Sequence, residues 1–248
     1  MVATVHDVPD AIFADRRLAE IYDAFDGERD DLTMYLRIAD ELDAHHVVDV
    51  GCGTGSLALR LAETGRIVTG VEPAGASLAV ARRKTGAAMV TWIHGEATAL
   101  PALGADLATM TGNVAQVFLS GTEWAATLGG IRRALHPRGH LVFESRRPEH
   151  RAWEGWAKHV VPVVRDVPGV GVVEQRIELT RVALPLVSFR QTYTFATDGA
   201  VVTSDSTLRF LNRAELEGSL DAAGFTTLGV RDAPDRPGQE HVFVAQRT

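Results

Sequence analysis

The hydrophobic positions change rhythm twice along the chain. From Asp10 to Phe25, the residues Ile12, Phe13, Leu18, Ile21, Tyr22 and Phe25 recur close to helical spacing, and a second helical pattern runs from Leu32 to Leu42. Short apolar runs then alternate with helical stretches. Val47 to Val50 is β-branched and bounded by glycine, as a buried strand would be. Leu57 to Ala62 reads as helix, Ile67 to Val71 as strand, Leu78 to Arg83 as helix, and Met89 to Ile93 and Ala105 to Met110 as strands. A helix over Trp124 to Leu135 stops before Pro137 and Gly139, and His140 to Phe143 forms a fifth strand. Strands alternating with helices predict crossover units and a parallel sheet covered on both faces.

Beyond residue 158 the period falls to two. Val173, Gln175, Ile177 and Leu179 share one parity, and Glu174, Arg176, Glu178 and Thr180 the other; Phe189, Tyr193 and Phe195 alternate with Arg190, Thr192 and Thr194. This is the signature of half-buried antiparallel strands. Asp198-Gly199 marks a tight hairpin turn between two such runs. Three antiparallel strands are expected within residues 170–211. A helix over Arg213 to Ala223 follows, with Asn212 as N-cap, Glu215 three residues on and Gly224 at its end. Phe225 to Val230 and His241 to Ala245 make a last strand pair. The segment from Asp232 to Glu240 reads as the most flexible loop.

The expected organisation is one α/β domain over residues 1–248: a Rossmann-like, doubly wound, seven-stranded, mostly parallel sheet with an antiparallel β insertion. An N-terminal helical cap covers 1–44, a ligand-binding core 45–157, the insertion 158–211, and the completion of the core sheet 212–248. Placed between the fifth strand and the next helix, the insertion would overhang the sheet's ligand edge as a lid or substrate platform; a dimer contact, giving a homodimer, is the blander alternative.

Composition narrows the function classes. With 248 residues, 46% of them hydrophobic, the chain is long and apolar enough for a substantial core. A formal charge of −7 argues against general nucleic-acid binding, which needs clustered Lys and Arg. A single cysteine, Cys52, rules out an internal disulfide and makes a cysteine-based zinc site implausible, so no metal site is expected. The amino terminus lacks the pattern of a secretion signal, and no apolar run is long enough to span a bilayer, so the expectation is a cytoplasmic protein with no membrane partner.

Gly51, Gly53 and Gly55 follow the first strand directly and open a helix. Glycine permits positive φ and lets a ligand lie against bare main chain. Glu72 closes the second strand, 21 positions after Gly51. In doubly wound sheets an acid there accepts from the hydroxyls of an adenosine ribose. The pair predicts a bound adenosine. A dinucleotide fingerprint would want its third glycine at position 56, which is Ser56, and there is no Gly-Lys-Ser/Thr triplet for a phosphate-cradling loop.

The segments "VVDVGCGTG" (47–55), "VTGVEP" (68–73), "GEATALP" (95–101) and "ADLATMTGNVAQVF" (105–118) resemble the class I S-adenosylmethionine-dependent methyltransferase family. The likeness covers roughly residues 30–145 by motif and 212–246 by pattern. "FESRRPEHRAWEGW" (143–156) is similar to a bacterial branch acting on small molecules. The resemblance implies that S-adenosyl-L-methionine is the cofactor and a small molecule the methyl acceptor. Asp49 would face the methionine amino group. Gly51, Cys52 and Gly53 would line the methionine and ribose with backbone. Glu72 would clamp the ribose diol and Pro73 pack on the adenine, with Glu96 and the Ala97 amide reading its edge; many relatives carry Asp where Glu96 stands. Thr111 and Gly112 would meet the methionine end, and Tyr22 would reach its carboxylate.

On the acceptor side, Asn113, Gln116, Glu144, Arg146, His150 and Trp153 are the candidates, with Trp156 and His159 beside them. Each has a bland reading: capping for Asn113 and Gln116, an ion pair for Glu144 and Arg146, solvated histidines, and tryptophans packed into a core. Cys52 reads as a small residue in a glycine turn rather than a nucleophile. Methyl transfer from a sulfonium needs alignment more than acid–base groups, so no catalytic residue is assigned. Three other readings share features: a nicotinamide-dependent oxidoreductase, opposed by Ser56; a non-catalytic adenosyl-binding regulatory module; and an RNA methyltransferase, opposed by the missing basic surface.

Overall fold

The computed structural model describes residues 9–158 and 161–248; the His159 candidate lies outside the described residues. The helices are α1 (Ala11–Ala14), α2 (Arg16–Asp26), α3 (Leu32–Glu41), α4 (Ser56–Glu63), α5 (Gly75–Ala81), α6 (Gly121–Ala134), α7 (Trp153–Lys158) and α8 (Arg213–Ala222). The strands are β1 (His46–Val50), β2 (Ile67–Glu72), β3 (Val90–His94), β4 (Ala105–Met110), β5 (Leu135–Arg146), β6 (Val163–Val167), β7 (Gly171–Ala183), β8 (Leu186–Phe195), β9 (Val201–Arg209), β10 (Phe225–Asp232) and β11 (Glu240–Arg247). Seven of them form one sheet in the order β3-β2-β1-β4-β5-β11-β10, and β6 to β9 form a separate four-stranded sheet. β1 to β5 pair in parallel, while β11 runs antiparallel to both β5 and β10.

The central strands are buried because both faces are covered. Val47, Val48 and Val50 of β1 are each at most 3% exposed, so the continuous apolar run follows from two-sided burial rather than from alternation. On one face α6 and α8 pack Trp124, Leu128, Ile131, Leu216 and Leu220 against β4, β5 and β11. On the other, α3 and α4 supply Leu32, Tyr35, Ile38 and Leu61. Both α6 and α8 begin with reciprocal capping boxes, Ser120 with Glu123 and the expected Asn212 with Glu215. Strand order reverses on either side of β1, so the crevice at its carboxyl end is where an open sheet of this kind takes a ligand.

Two expectations change and one is extended. The pattern from Asp10 to Phe25 is two helices, because Asp15 is extended and its carboxylate accepts from the N–H groups of Arg17 and Leu18, starting a new helix. The three antiparallel strands expected within residues 170–211 are there as β7, β8 and β9, and β6, at Val163–Val167, joins them as a fourth outside that range. β6 carries no period-two signal because only Val167 of its five residues is buried. The N-terminal cap is also split: α3 belongs to the main core, whereas Ile12, Leu18 and Ile21 of α1 and α2 pack against Val173, Tyr193 and Phe195 of the second sheet. The Asp198-Gly199 turn is present between β8 and β9, with Gly199 at φ +71°.

Candidate active site at the carboxyl edge of the parallel strands

The first half of the site is made of backbone. Gly51, Gly53 and Gly55 all hold positive φ, at +68°, +53° and +83°, but for different reasons. A Cβ on Gly51 would come within 2.7 Å of Val114, and one on Gly55 within 2.7 Å of Trp92, so these two are packing glycines. A Cβ on Gly53 would meet nothing within 4 Å. Gly53 therefore faces open space while its N–H donates to Glu72 Oε2 at 2.9 Å. The other carboxylate oxygen of Glu72 accepts from the Ala74 N–H at 2.8 Å. Glu72 is 6% exposed, and burial raises its carboxyl pKa despite those two bonds. A carboxylate offers about four acceptor sites, so two amide bonds leave capacity for a diol.

Asp49, also buried, accepts from the Thr109 hydroxyl at 2.9 Å. Burial pushes its carboxyl up to about 7, opposed by the Thr109 bond and by Arg29. Cys52 turns inward: its Sγ lies where a Cβ on Gly70 would meet it at 2.9 Å, and burial raises the thiol pKa. That fits a space-filling role, since a nucleophilic thiol needs the opposite shift. Pro73 is exposed, with its carbonyl 3.0 Å from His94 Nε2. Glu96 is exposed and accepts from the Thr98 hydroxyl at 3.2 Å, while Ala97 is buried with its carbonyl against Gly130 of α6.

The second half is made of side chains. At the end of β4, Thr111 is partly buried and Gly112 turns at φ +73° with open space where a Cβ would stand. The N–H groups of Gly112 and Asn113 both donate to Glu144 Oε1, at 2.6 and 3.0 Å. The Tyr35 hydroxyl donates to Glu144 Oε2. Glu144, at 4% exposure, is thus a clamp on the loop after β4. Burial first, then the nearby Glu240 charge, pushes its carboxyl up to about 7.

Asn113 is 2% exposed; its amide nitrogen donates to Glu240 Oε1 at 3.2 Å and its Oδ1 has no partner. Gln116 is buried, donating to the Arg209 carbonyl of β9 and accepting from Arg146 Nη1 at 3.3 Å. It joins the loop after β4 to both sheets.

Beyond this network lies a cleft of about 430 Å³ between the end of β5, the segment around α7 and the loop before β11. Arg146, His150, Trp156, Arg236 and Glu240 are among its walls. Glu240 Oε1 takes Arg236 at 2.8 Å and Arg146 at 3.6 Å. The Arg146 guanidinium stands 5.6 Å from the centre of the Trp156 ring.

Trp153 is not brought to this cleft. It is 2% exposed and meets Phe210 edge-on at 4.8 Å in a small core between α7 and the second sheet. Trp156, three residues on, takes the cleft wall instead. Tyr22, on α2, is partly buried against Phe13 and carries a raised phenol pKa from burial and the Asp26 charge; it lies within electrostatic reach of Arg146. Tyr35, Arg236 and Glu240 were missed by sequence reasoning. Tyr35 sits on an apolar helix face, where only its need for a hydroxyl partner distinguishes it from a core aromatic. Arg236 and Glu240 fall in the segment read as a flexible loop.

Residues 47–139 match the protein family described as methyltransferase domain. Over that segment the chain carries a methyltransferase domain, similar to the class I S-adenosylmethionine-dependent family. S-adenosylmethionine is the methyl donor of these methyltransferases, and the match decides against the nicotinamide alternative. Over 108 residues, 44% of the chain, it is 32% identical to the ubiquinone/menaquinone biosynthesis C-methyltransferase UbiE of Rubrivivax gelatinosus. That alignment spans 42% of the relative's own length. In fold it is similar over nearly its whole length to two solved methyltransferases. The sugar N-methyltransferase KedS8 of Streptoalloteichus sp. is 20% identical, with TM-score 0.75 and coverage of 100% of this chain and 98% of that one. The amino pentose methyltransferase CalS10 of Micromonospora echinaspora, solved with S-adenosylmethionine bound, is 24% identical, with TM-score 0.68 and coverage of 92% and 97%. Among the described residues, no helix of the chain is long and apolar enough to cross a membrane.

Proposed function

We propose that this protein transfers a methyl group from S-adenosylmethionine to a small-molecule acceptor, with the donor seated over Gly53 and Glu72 and the acceptor approaching from the cleft beside Arg146. The observation that carries the reading is Glu72: a buried carboxylate, held by two backbone amides, beside a glycine whose missing side chain leaves open space. The donor set matches a sugar diol. Asp49 at the end of β1 supplies an acid for the methionine ammonium, whose charge would bring its raised pKa back down. Thr111 and Gly112 supply backbone at the methionine end, and Tyr22 a hydroxyl. Pro73, Glu96 and Ala97 would border the adenine.

When bound, S-adenosylmethionine supplies an electrophilic methyl group with a neutral thioether as leaving group. The chain's own work is alignment and exclusion of water. Glu144 holds the loop that separates the donor and acceptor halves, and all its bonds go to Gly112, Asn113 and Tyr35, so it acts by positioning. His150, on the cleft wall, is the group available to accept a proton from a protonated acceptor. The second sheet serves as the platform for that cleft through Gln116 and the Trp153 core. Relatives in fold that act on an amino pentose and a sugar support a small acceptor.

Glu72→Ala tests the donor site. Loss of charge-assisted hydrogen bonds worth about 1.5–3 kcal/mol each predicts a roughly 10–100-fold weaker calorimetric affinity for S-adenosylhomocysteine. A fall in stability of about 1–3 kcal/mol should accompany it, because Glu72 also ties Gly53 to Ala74. Unchanged affinity would show that the diol clamp lies elsewhere. Binding without turnover across an acceptor screen would favour a regulatory adenosyl-binding module.

A further inference from the structure

The geometry points to an acceptor that is a flat ring carrying an anionic group, a carboxylate or phosphate, bound in the cleft between α7 and the loop before β11. This deepens the methyltransferase reading, on which the word acceptor rests. Three observations carry it. The first is charge. Arg146, Arg151, Lys158 and Arg236 line the cleft against only Glu154 and Glu240. A local surplus of cations in a chain of formal charge −7 runs against the average of the surface, and a concave wall concentrates that field.

The second observation is how those charges are used. Glu240, buried at 3% exposure, is shared between Arg236 and Arg146 and also accepts from Asn113. Arg236 is also paired with Asp235 at 3.1 Å, so these two guanidinium groups are matched by two carboxylates. Arg151 is paired with Glu154 at 2.7 Å, while Lys158 has no charge partner among the described residues. Capacity for an added anion therefore remains at the Lys158 side of the mouth.

The third is shape and surface. Trp156 packs on Phe189, 5.0 Å between ring centres, with the Arg146 guanidinium 5.6 Å from its own ring centre, and is the one tryptophan on the described wall. A supported indole is a stacking surface for a planar ligand, and about 430 Å³ suits a small ring with one substituent. Behind Glu240, which accepts from its amide nitrogen, buried Asn113 keeps Oδ1 without a partner. A ring stacked on Trp156, its anion toward Lys158, would point its opposite edge toward Asn113 and the loop at Gly112, where the methyl group would be delivered.

The test uses the full-length protein and two matched probes, 2-naphthoate and its neutral amide 2-naphthamide, titrated by calorimetry alongside S-adenosylhomocysteine. Naphthoate should bind at least about tenfold more tightly than the amide, with a preference that shrinks as salt is raised. Lys158→Glu should weaken naphthoate at least about fivefold and leave the amide, the melting temperature and S-adenosylhomocysteine affinity unchanged, since an exposed cation at the rim sets selectivity rather than fold. Trp156→Leu should weaken both probes. Naphthoate binding no better than the amide, or indifferent to Lys158→Glu, overturns the proposal. S-adenosylhomocysteine is read separately: its failure to bind while naphthoate behaves as expected would sink the methyltransferase reading and leave the anion site standing.

Discussion

The two halves of the proposed site lie on one sheet edge and are built from different materials. The donor half is main chain: Gly51, Gly53 and Gly55 in left-handed turns, two amides on Glu72, and one buried acid, Asp49. All of it comes from a run of 26 residues, Asp49 to Ala74. The acceptor half is long side chains, Arg146, Trp156, Arg236 and Glu240, drawn from segments nearly a hundred residues apart, with Trp156 packed against Phe189 of the second sheet. A ligand common to many proteins can be met by backbone geometry that tolerates sequence change elsewhere. A particular acceptor has to be met by side chains, and these can be exchanged without disturbing the parallel sheet.

The largest effect that separates the halves should come from the two tryptophans of α7. Trp153→Ala empties a buried site against Phe210 and should cost about 3–5 kcal/mol, a drop of roughly 6–20 °C in melting temperature for a chain of this size. Trp156→Ala, at the cleft wall, should cost clearly less and abolish discrimination among flat ligands. Equal losses in a denaturant titration would mean that Trp156 is core and that the acceptor half lacks its aromatic wall.

That pair also marks where the sequence stops being legible. Residues three apart on a helix share a face, so Trp153 and Trp156 read alike until Phe210 and Phe189 are placed behind them. The donor half needed no such partner. Its glycines, the β-branched run before them and Glu72 are neighbours in the chain, and their spacing already encodes a strand, a turn and a second strand end. The central parallel strands β1 and β4 were readable because they are buried on both faces. β6 was not, because an edge strand exposed on four of its five residues carries no period. Deleting residues 170–211 would be a poor test of the platform, since Ile12, Leu18 and Ile21 would lose the surface they pack on.

Within the donor half, the glycines should separate by what stands over them. Gly53→Ala forces an alanine into φ +53° but meets no atom, so it should cost only about 1–2 kcal/mol. Its methyl group would enter the space beside Glu72, and S-adenosylhomocysteine affinity should fall out of proportion to the stability loss. Gly55→Ala should invert that ratio, because its Cβ would stand 2.7 Å from Trp92, in the protein rather than in the site. If both variants lose binding only as far as they lose stability, the open space over Gly53 has no part in holding the donor.

The smallest effect concerns Glu144, where the halves meet. Its folded pKa of about 7 lies above the ordinary value of 4.5. The folded state therefore holds a proton that the unfolded state has released, and stability from this group is lost as pH rises from about 4.5 through 7. Between pH 6.5 and 7.5 the loss stays under about 1 kcal/mol, a few degrees at most. Glu144→Gln keeps an oxygen for the Gly112 and Asn113 amides and cannot ionise, so this part of the pH slope should vanish in the variant. The variant should gain on the wild type as pH rises, measured by paired thermal melts. Asp49 titrates in the same range, raised to about 7 by burial, but S-adenosylhomocysteine would bring its ammonium to that acid and not to Glu144. Saturating the protein with the ligand should therefore remove the Asp49 share of the slope and leave the difference between wild type and Glu144→Gln in place. A difference that disappears with the ligand would mean that Glu144 belongs to the donor half, and that the boundary between the halves lies further toward the cleft.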